Sequence, residues 1–209
     1  VAAPESTSGT SGEDAVRRSG TEDVVRLASN ESPIGPSPRA VAVIRAAAAR
    51  LHTYPPMADD SLRARLAVVG GPGLSPDHVV TGAGGTDVLA LIAAGFLELG
   101  DEAIICPPTF PLYEIQIRRR GARAVPCALR TPGFAYDPDA ILRAITPATR
   151  LVYLCSPVNP TGTLLMADQA DRLMSGLPDR VIAVFDESYR DFVNDPVAAD
   201  VCTFLRAGR

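Results

Sequence analysis

The sequence of 209 residues contains no lysine, and its 20 basic side chains are all arginines. Any mechanism that requires a lysine amine therefore cannot run on this chain alone. Histidine is also scarce, with two residues, and the four cysteines form no Cys-x-x-Cys pair. This composition argues against a metal site. Cys106, Cys127, Cys155 and Cys202 lie in or beside apolar stretches, so we expect buried, reduced thiols in a cytoplasmic protein.

The sequence also lacks a positive surface charge and a long apolar run. Acidic residues number 24 and give a formal net charge of −4, so nothing indicates nucleic-acid binding. The longest uninterrupted run of apolar residues and glycine, residues 88–97, is too short to span a bilayer. Residues 1–23 are rich in Ser, Gly, Thr and acidic side chains. They predict a disordered tail rather than a signal peptide.

The rest of the sequence alternates between strand-like and helix-like segments. The predicted strands are residues 78–81, 103–106, 122–127, 151–155 and 181–185. The predicted helices are residues 38–51, 61–69, 86–98, 111–120, 138–145 and 167–175. The strands are nearly continuous apolar runs, which is typical of strands covered on both faces. The pattern predicts an α/β fold with a largely parallel sheet, in which ligands bind at the carboxyl ends of the strands.

The loop at residues 81–87 reads Thr-Gly-Ala-Gly-Gly-Thr-Asp and leads into a predicted helix. Glycines at such a turn let backbone N–H groups approach an anion, and Thr86 is expected to cap the helix. The loop therefore predicts a phosphate site, with a turn selected for tight packing as the alternative. A dinucleotide-binding turn does not fit, because Asp87 takes the third glycine position and the next strand ends at Cys106 rather than at an acid. A Walker phosphate-binding loop does not fit either, because it requires a lysine and this chain has none.

Three further side chains follow predicted strands. Phe110 lies in a proline-stiffened loop, where it either joins the core or stacks on a planar ligand ring. Asn159 lies in a turn rich in Pro and Gly, so it is either part of a simple turn or a donor to a ligand oxygen. Asp186 comes directly after an apolar strand, where an acid is costly unless it is paired. It either caps a helix or pairs with a cationic ligand group.

Taken together, these segments resemble class I/II aminotransferases, which are fold-type I pyridoxal-phosphate enzymes, and in particular histidinol-phosphate aminotransferases. The resemblance begins near Val24 and continues to the end of the chain. Its motifs occur in family order and at family-like spacing: residues 27–38, 54–55, 81–87, 108–110, 159–162 and 186–189. The resemblance implies a three-layer α/β/α large domain with a mostly parallel sheet. Residues 24–55 would form an N-terminal arm or part of a small domain, and residues 56–209 an incomplete cofactor-binding domain.

The resemblance also implies pyridoxal 5'-phosphate as cofactor and assigns roles to residues. Gly84, Gly85 and Thr86 would hold the cofactor phosphate. Phe110 would stack on the pyridine ring, and Asp186 would pair with the ring nitrogen.

Further residues would complete the cofactor and substrate sites. Asn159 and Tyr189 would hydrogen-bond the ring oxygen. Tyr54 would reach the cofactor phosphate of a partner subunit, which implies a homodimer. Asn30 and Glu31 would lie at the substrate mouth.

Two departures from the family pattern bear on activity. Ile34 occupies a position where histidinol-phosphate aminotransferases usually carry an aromatic residue near the substrate, which leaves the substrate open. The Schiff-base lysine is absent, so no catalytic residue is assigned in this chain. We expect an N-terminal portion of an enzyme that transfers an amino group from an amino acid or a histidinol-phosphate-like amine to a 2-oxo acid. The alternatives are an amino-acid phosphate decarboxylase of the same fold and a catalytically dead remnant.

Overall fold

The chain divides into two compact units, residues 1–58 and residues 59–209. The computed structural model describes residue 20, residues 29–55 and residues 60–208. Apart from Gly20, the predicted tail lies outside the described residues. In the first unit, helix α1 spans Pro38–Ala48. Ser37 caps it as predicted, because its Oγ accepts a hydrogen bond from the Ala40 N–H at 3.1 Å.

The second unit is an α/β structure built on a four-stranded sheet. Its strands are β1 (Glu102–Ile105), β2 (Arg123–Pro126), β3 (Thr149–Cys155) and β4 (Ile182–Asp186). Its helices are α2 (Asp60–Gly70), α3 (Gly85–Phe96), α4 (Leu112–Arg119), α5 (Pro138–Arg143), α6 (Ala167–Gly176) and α7 (Cys202–Arg206). Two short 3₁₀ helices lie at Pro76–His78 and Arg190–Phe192.

The strands are all parallel and lie in the order β2-β1-β3-β4. Successive side chains of a strand point to opposite faces, and β3 shows this directly. Leu151 and Tyr153 enter one apolar cluster, whereas Val152 and Leu154 enter the other. Helices α3 and α4 cover the first face, and α5 and α6 cover the second. This arrangement confirms the three-layer α/β/α fold and explains why the strands read as continuous apolar runs.

One predicted strand, residues 78–81, is wrong. His78 ends a 3₁₀ helix, and residues 79–81 are not part of the sheet among the described residues. The Val79 carbonyl accepts a hydrogen bond from the Arg63 guanidinium at 2.9 Å instead of from a strand. An apolar run marks a strand only when a neighbouring strand pairs with its backbone.

The order of the strands determines where a ligand would bind. From β1 the chain crosses to β2 at one side of the sheet, and from β3 it crosses to β4 at the other side. The loops that leave β1 and β3 therefore diverge, and folds of this kind bind ligands in the crevice expected between such loops, at the carboxyl ends of the strands. The loops that carry Phe110 and Asn159 begin at this crevice.

Candidate functional site

The glycine-rich loop ends at the start of α3, where backbone donors remain available. Gly84 is the N-cap residue, with φ 79°, a left-handed value that glycine adopts without strain. Its own N–H bonds the Gly82 carbonyl at 2.8 Å. Among the described residues, none accepts a hydrogen bond from the N–H of Gly85 or Thr86. Such donors at the positive end of a helix dipole favour an anion.

The expected capping role of Thr86 is wrong. Because Gly85 already belongs to α3, Thr86 falls inside the first turn of the helix and Gly84 takes the cap position. Another side chain closes the loop: Asp87 Oδ2 accepts a hydrogen bond from the Ala83 N–H at 2.8 Å.

A cavity of about 190 Å³ joins the start of α3 to the end of β4. Its walls are Gly85, Val88, Leu89, Ile92, Val184, Phe185, Asp186, Glu187 and Ser188. Two of the predicted site residues, Gly85 and Asp186, therefore face the same space although they lie far apart in the sequence. The cavity has backbone donors at one wall and a carboxylate at another.

Asp186 is the last residue of β4 and is half-buried. Its Oδ2 accepts a hydrogen bond from the Tyr113 hydroxyl at 2.6 Å. Its Oδ1 accepts from the Ser188 hydroxyl at 2.6 Å and from the Ser188 N–H at 3.1 Å. Asp186 does not cap a helix, since the next helical segment begins only at Arg190. These three hydrogen bonds occupy some of the acceptor positions of the carboxylate and fix its orientation.

Tyr113 belongs to this site, although it was not predicted. Its side chain is 1 % exposed, and its ring stacks on that of Tyr153 with centroids 5.0 Å apart. Burial raises the pKa of Tyr113 well above its ordinary value, and the hydrogen bond to Asp186 adds to the shift. The phenol therefore stays protonated and acts as a donor. The sequence carries no signal for this role, because Tyr113 reads as an ordinary core residue of a helix.

Phe110 is half-buried and meets the edge of the Tyr113 ring at 5.7 Å, with the two planes at 83°. It also packs against the apolar cluster on the α3 and α4 face. Part of the Phe110 side chain therefore joins the core, which was one of the two alternatives that the sequence left open. Its ring lies one side chain away from Asp186, through Tyr113, and stacking on a ligand ring stays a prediction.

The loop after β3 is held by its own backbone. The Val158 N–H bonds the Thr163 carbonyl at 2.8 Å, and the Gly162 N–H bonds the Val158 carbonyl at 2.7 Å. Asn159 is half-buried within this turn. Tyr189 lines a second cavity, of about 390 Å³, whose walls also include Pro157, Gly162, Leu164, Phe192, Val193, Asn194 and Asp195. The segment after β4 therefore faces the loop that follows β3.

Four predicted residues lie in the first unit and are described within it alone. Ile34 is 92 % exposed and Tyr54 is fully exposed. Asn30 and Glu31 are exposed too, and Asn30 adopts a left-handed φ of 50°. The substrate roles of Asn30, Glu31 and Ile34 and the cofactor role of Tyr54 stay predictions.

Within residues 29–55 and 60–208, no group of three His, Cys, Asp or Glu side chains is placed to hold a metal ion. In the same ranges, no helix has both the length and the apolar composition needed to cross a membrane.

A parallel sheet covered by helices on both faces, with a glycine-rich helix start and a strand-end carboxylate at one cavity, is typical of cofactor-binding α/β proteins. Residues 22–208 match the family described as aminotransferase class I and II, and the chain belongs to that family. The resemblance seen in the motifs is thereby confirmed.

Individual relatives carry more specific names. A histidinol-phosphate aminotransferase of Ruegeria pomeroyi is 42 % identical over 174 residues, which are 83 % of this chain and 47 % of the relative. One of Moorella thermoacetica is 36 % identical over 201 residues, which are 94 % of this chain and 50 % of the relative. The chain thus spans about half the length of the curated relatives it matches.

Solved structures agree with the fold. Histidinol-phosphate aminotransferase from Sinorhizobium meliloti, in complex with pyridoxal-5'-phosphate, superposes with a TM-score of 0.78 at 25 % identity. The match covers 92 % of this chain and 52 % of that one. N-succinyldiaminopimelate aminotransferase from Mycobacterium tuberculosis gives a TM-score of 0.70 at 30 % identity and covers 81 % of this chain and 46 % of that one.

Proposed function

We propose that this chain is the cofactor-binding portion of a pyridoxal-phosphate-dependent aminotransferase. The amino donor would be an amino acid or a histidinol-phosphate-like amine, and the acceptor a 2-oxo acid. The observation that carries the proposal is the shared cavity, in which Gly85 at the start of α3 and Asp186 at the end of β4 face the same space. The names of the relatives and the ligand of the Sinorhizobium meliloti structure support it.

The residues of the cavity fit both charged ends of pyridoxal phosphate. The N–H groups of Gly85 and Thr86 would bind the phosphate at the positive end of α3, and the left-handed Gly84 would expose them. Asp186 would accept a hydrogen bond from the protonated ring nitrogen and hold that proton in place. When bound, the cofactor supplies a ring that withdraws electrons from the substrate.

Three more residues would complete the contacts of the ring. Phe110 would stack on it, which agrees with its position beside Tyr113. Asn159 and Tyr189 would hydrogen-bond the ring oxygen. The rigid backbone turn around Asn159 and the facing of Tyr189 toward the loop after β3 support this assignment.

The catalytic amine would come from outside these 209 residues, because they contain no lysine. We therefore expect this chain alone to lack transaminase activity. Asn30, Glu31 and Ile34 would lie at the substrate mouth. Tyr54 would contact the cofactor phosphate of a partner subunit in a homodimer, and its full exposure within the first unit is compatible with that role. The four free thiols fit a reducing compartment such as the cytoplasm.

Cofactor binding by the 209-residue chain tests the proposal. Equilibrium dialysis should show saturable binding of one pyridoxal phosphate per chain. Asp186→Ala should weaken it by about ten-fold or more, because a hydrogen bond to a charged group contributes about 1.5–3 kcal/mol. Asp191→Ala, which removes an exposed acid nearby, is the matched control and should bind as the parent does. No saturable binding by the parent chain, or equal affinities of all three proteins, would contradict the proposal.

A further inference from the structure

The Asp186 carboxylate has few acceptor positions left for a hydrogen bond from a ligand. A carboxylate offers about four acceptor positions, two on each oxygen. Both acceptor positions of Oδ1 are occupied, because it accepts from the hydroxyl and from the N–H of Ser188, at 2.6 and 3.1 Å. Oδ2 uses one position on the Tyr113 hydroxyl, at 2.6 Å. The remaining position therefore lies on Oδ2, the oxygen that Tyr113 holds.

Tyr113 is well fixed for directing this oxygen. Its ring is stacked on Tyr153, with an angle of 16° between the planes, and Phe110 meets its edge. The side chain is 1 % exposed, so packing on several sides restricts where the hydroxyl lies. A separation of 2.6 Å is in the range of a short bond from a hydroxyl to a charged oxygen.

We propose that Tyr113 is a positioning residue that directs Oδ2 of Asp186 toward the ring nitrogen of the cofactor. This inference rests on the proposed function. Oδ2 would accept two hydrogen bonds, one from the Tyr113 hydroxyl and one from the ring N–H. Without the phenol, the carboxylate loses the contact that holds Oδ2. Tyr113 acts through Asp186 and does not itself contact the cofactor.

Two ligands and two tyrosine variants separate this role from a purely structural one. The ligands are pyridoxal phosphate and its 1-deaza analogue, in which a C–H replaces the ring nitrogen. Tyr113→Phe should weaken binding of pyridoxal phosphate by about ten-fold. It should leave binding of the 1-deaza analogue unchanged, since that ligand offers Asp186 no N–H. A general loss of packing would weaken both ligands alike.

Tyr153→Phe is the matched control. It removes one hydroxyl from the other ring of the same stack, and that hydroxyl has no partner among the described residues. We expect it to bind both ligands as the parent does. Equal weakening of both ligands by Tyr113→Phe, or no weakening of either, would overturn the inference.

A measurement on the unmodified chain covers the case in which Tyr113→Phe does not fold. A buried, hydrogen-bonded phenol exchanges its proton slowly enough to give an NMR signal. The Tyr113 hydroxyl proton should shift when pyridoxal phosphate is added, and much less with the 1-deaza analogue. Equal shifts with both ligands would contradict the positioning role.

The outcomes also separate this inference from the proposed function. A parent chain that binds no pyridoxal phosphate contradicts the function itself. A parent chain that binds it through Asp186, while Tyr113→Phe behaves as the parent does, contradicts only the role of Tyr113.

Discussion

The two adjacent glycines at the start of α3, Gly84 and Gly85, are needed for different reasons. Gly84 adopts φ 79°, which is costly for any residue with a Cβ. Gly85 lies within the helix at an ordinary φ, and a Cβ built on it would meet no described atom within 4 Å. The first position is therefore constrained by the backbone, whereas the second lines the cavity and keeps it open.

Gly85→Ala should reduce cofactor binding without unfolding the chain. The added methyl group would occupy the open space beside the free N–H groups, so we expect affinity for pyridoxal phosphate to fall by about ten-fold or more. The free energy of unfolding should not decrease, because Ala exceeds Gly in helix propensity by about 1 kcal/mol. Dialysis and urea denaturation measure the two effects.

Gly95→Ala is the control for this substitution, since Gly95 lies in the same helix and also has open space around it. It should stabilise the chain by a similar amount and bind the cofactor normally. Equal affinities of the two variants would show that the phosphate does not approach Gly85.

The carboxyl end of β3 depends on a tyrosine from outside the sheet. Pairing of β1 with β3 stops at Val152, so the backbone of Cys155 needs another partner on that side. The buried Tyr136 hydroxyl supplies it: it donates to the Cys155 carbonyl at 2.7 Å and accepts from the Cys155 N–H at 2.9 Å. One side chain thus satisfies both backbone groups beside the candidate site.

Removing this hydroxyl should destabilise the chain. In Tyr136→Phe both backbone groups of Cys155 become buried and unpaired, and we expect a loss of about 2 kcal/mol in the free energy of unfolding. Tyr153→Phe removes a buried hydroxyl that has no partner among the described residues, so it should be neutral or stabilising by up to about 1 kcal/mol. Urea denaturation of the two variants measures the contrast, and equal losses would contradict it.

The opposite end of the sheet contains a buried acid. Glu102, the first residue of β1, is 6 % exposed and accepts a hydrogen bond from Thr146 at 2.7 Å. It also pairs with Arg123 of β2. The bond from Thr146 lowers the pKa of Glu102, and the Arg123 guanidinium lowers it further against the opposing effect of burial. Ionised Glu102 therefore joins β1 and β2 to the segment before β3.

The stability contributed by Glu102 should depend on pH. Because its pKa is depressed in the folded chain, this contribution is fully present above the ordinary pKa and disappears as pH falls through the folded value. At pH 7 Glu102→Gln should lower the free energy of unfolding by about 1 kcal/mol. The difference from the parent should shrink in acid. Denaturation curves at several pH values test this, with the exposed Glu98→Gln as control. A pH-independent difference would contradict the assignment.

At the scale of the whole molecule, the chain combines the cavity between α3 and β4 with a complete absence of lysine. The second unit holds Gly85 and Asp186 around one space, yet none of the 209 residues carries a side-chain amine. Non-covalent binding and covalent attachment of the cofactor are therefore separable in this protein. Pyridoxal phosphate therefore has no lysine in this chain with which to form a Schiff base.

Borohydride treatment tests this separation. After incubation with pyridoxal phosphate and reduction, peptide mapping should find no pyridoxyl group on any side chain of the 209 residues, because reduction traps only the cofactor joined to an amine. A lysine-containing protein treated in parallel confirms that the reduction works. A reduced adduct mapped to a side chain of this sequence would contradict the expectation.

The sequence by itself determined helices α1 to α6, the four strands of the sheet and the residues at their carboxyl ends, but not the short helix α7. This was possible because strands buried on both faces have continuous apolar sequences. Parallel strands also bring the loops that follow them to one edge of the sheet. The same signal failed at residues 78–81, where an apolar run has no pairing strand among the described residues. Pairing depends on a neighbour that the local pattern does not specify.

Only the tertiary structure decided how Asp186 is held. The Tyr113 hydroxyl meets its carboxylate across 73 residues of sequence, and Tyr113 has the pattern of any buried helix residue. Tyr136 likewise reads as core, yet its hydroxyl replaces a strand partner for Cys155. Sequence periodicity predicts which face of an element is buried. The partner of a buried hydroxyl is decided by distances and angles that arise only when the elements pack together.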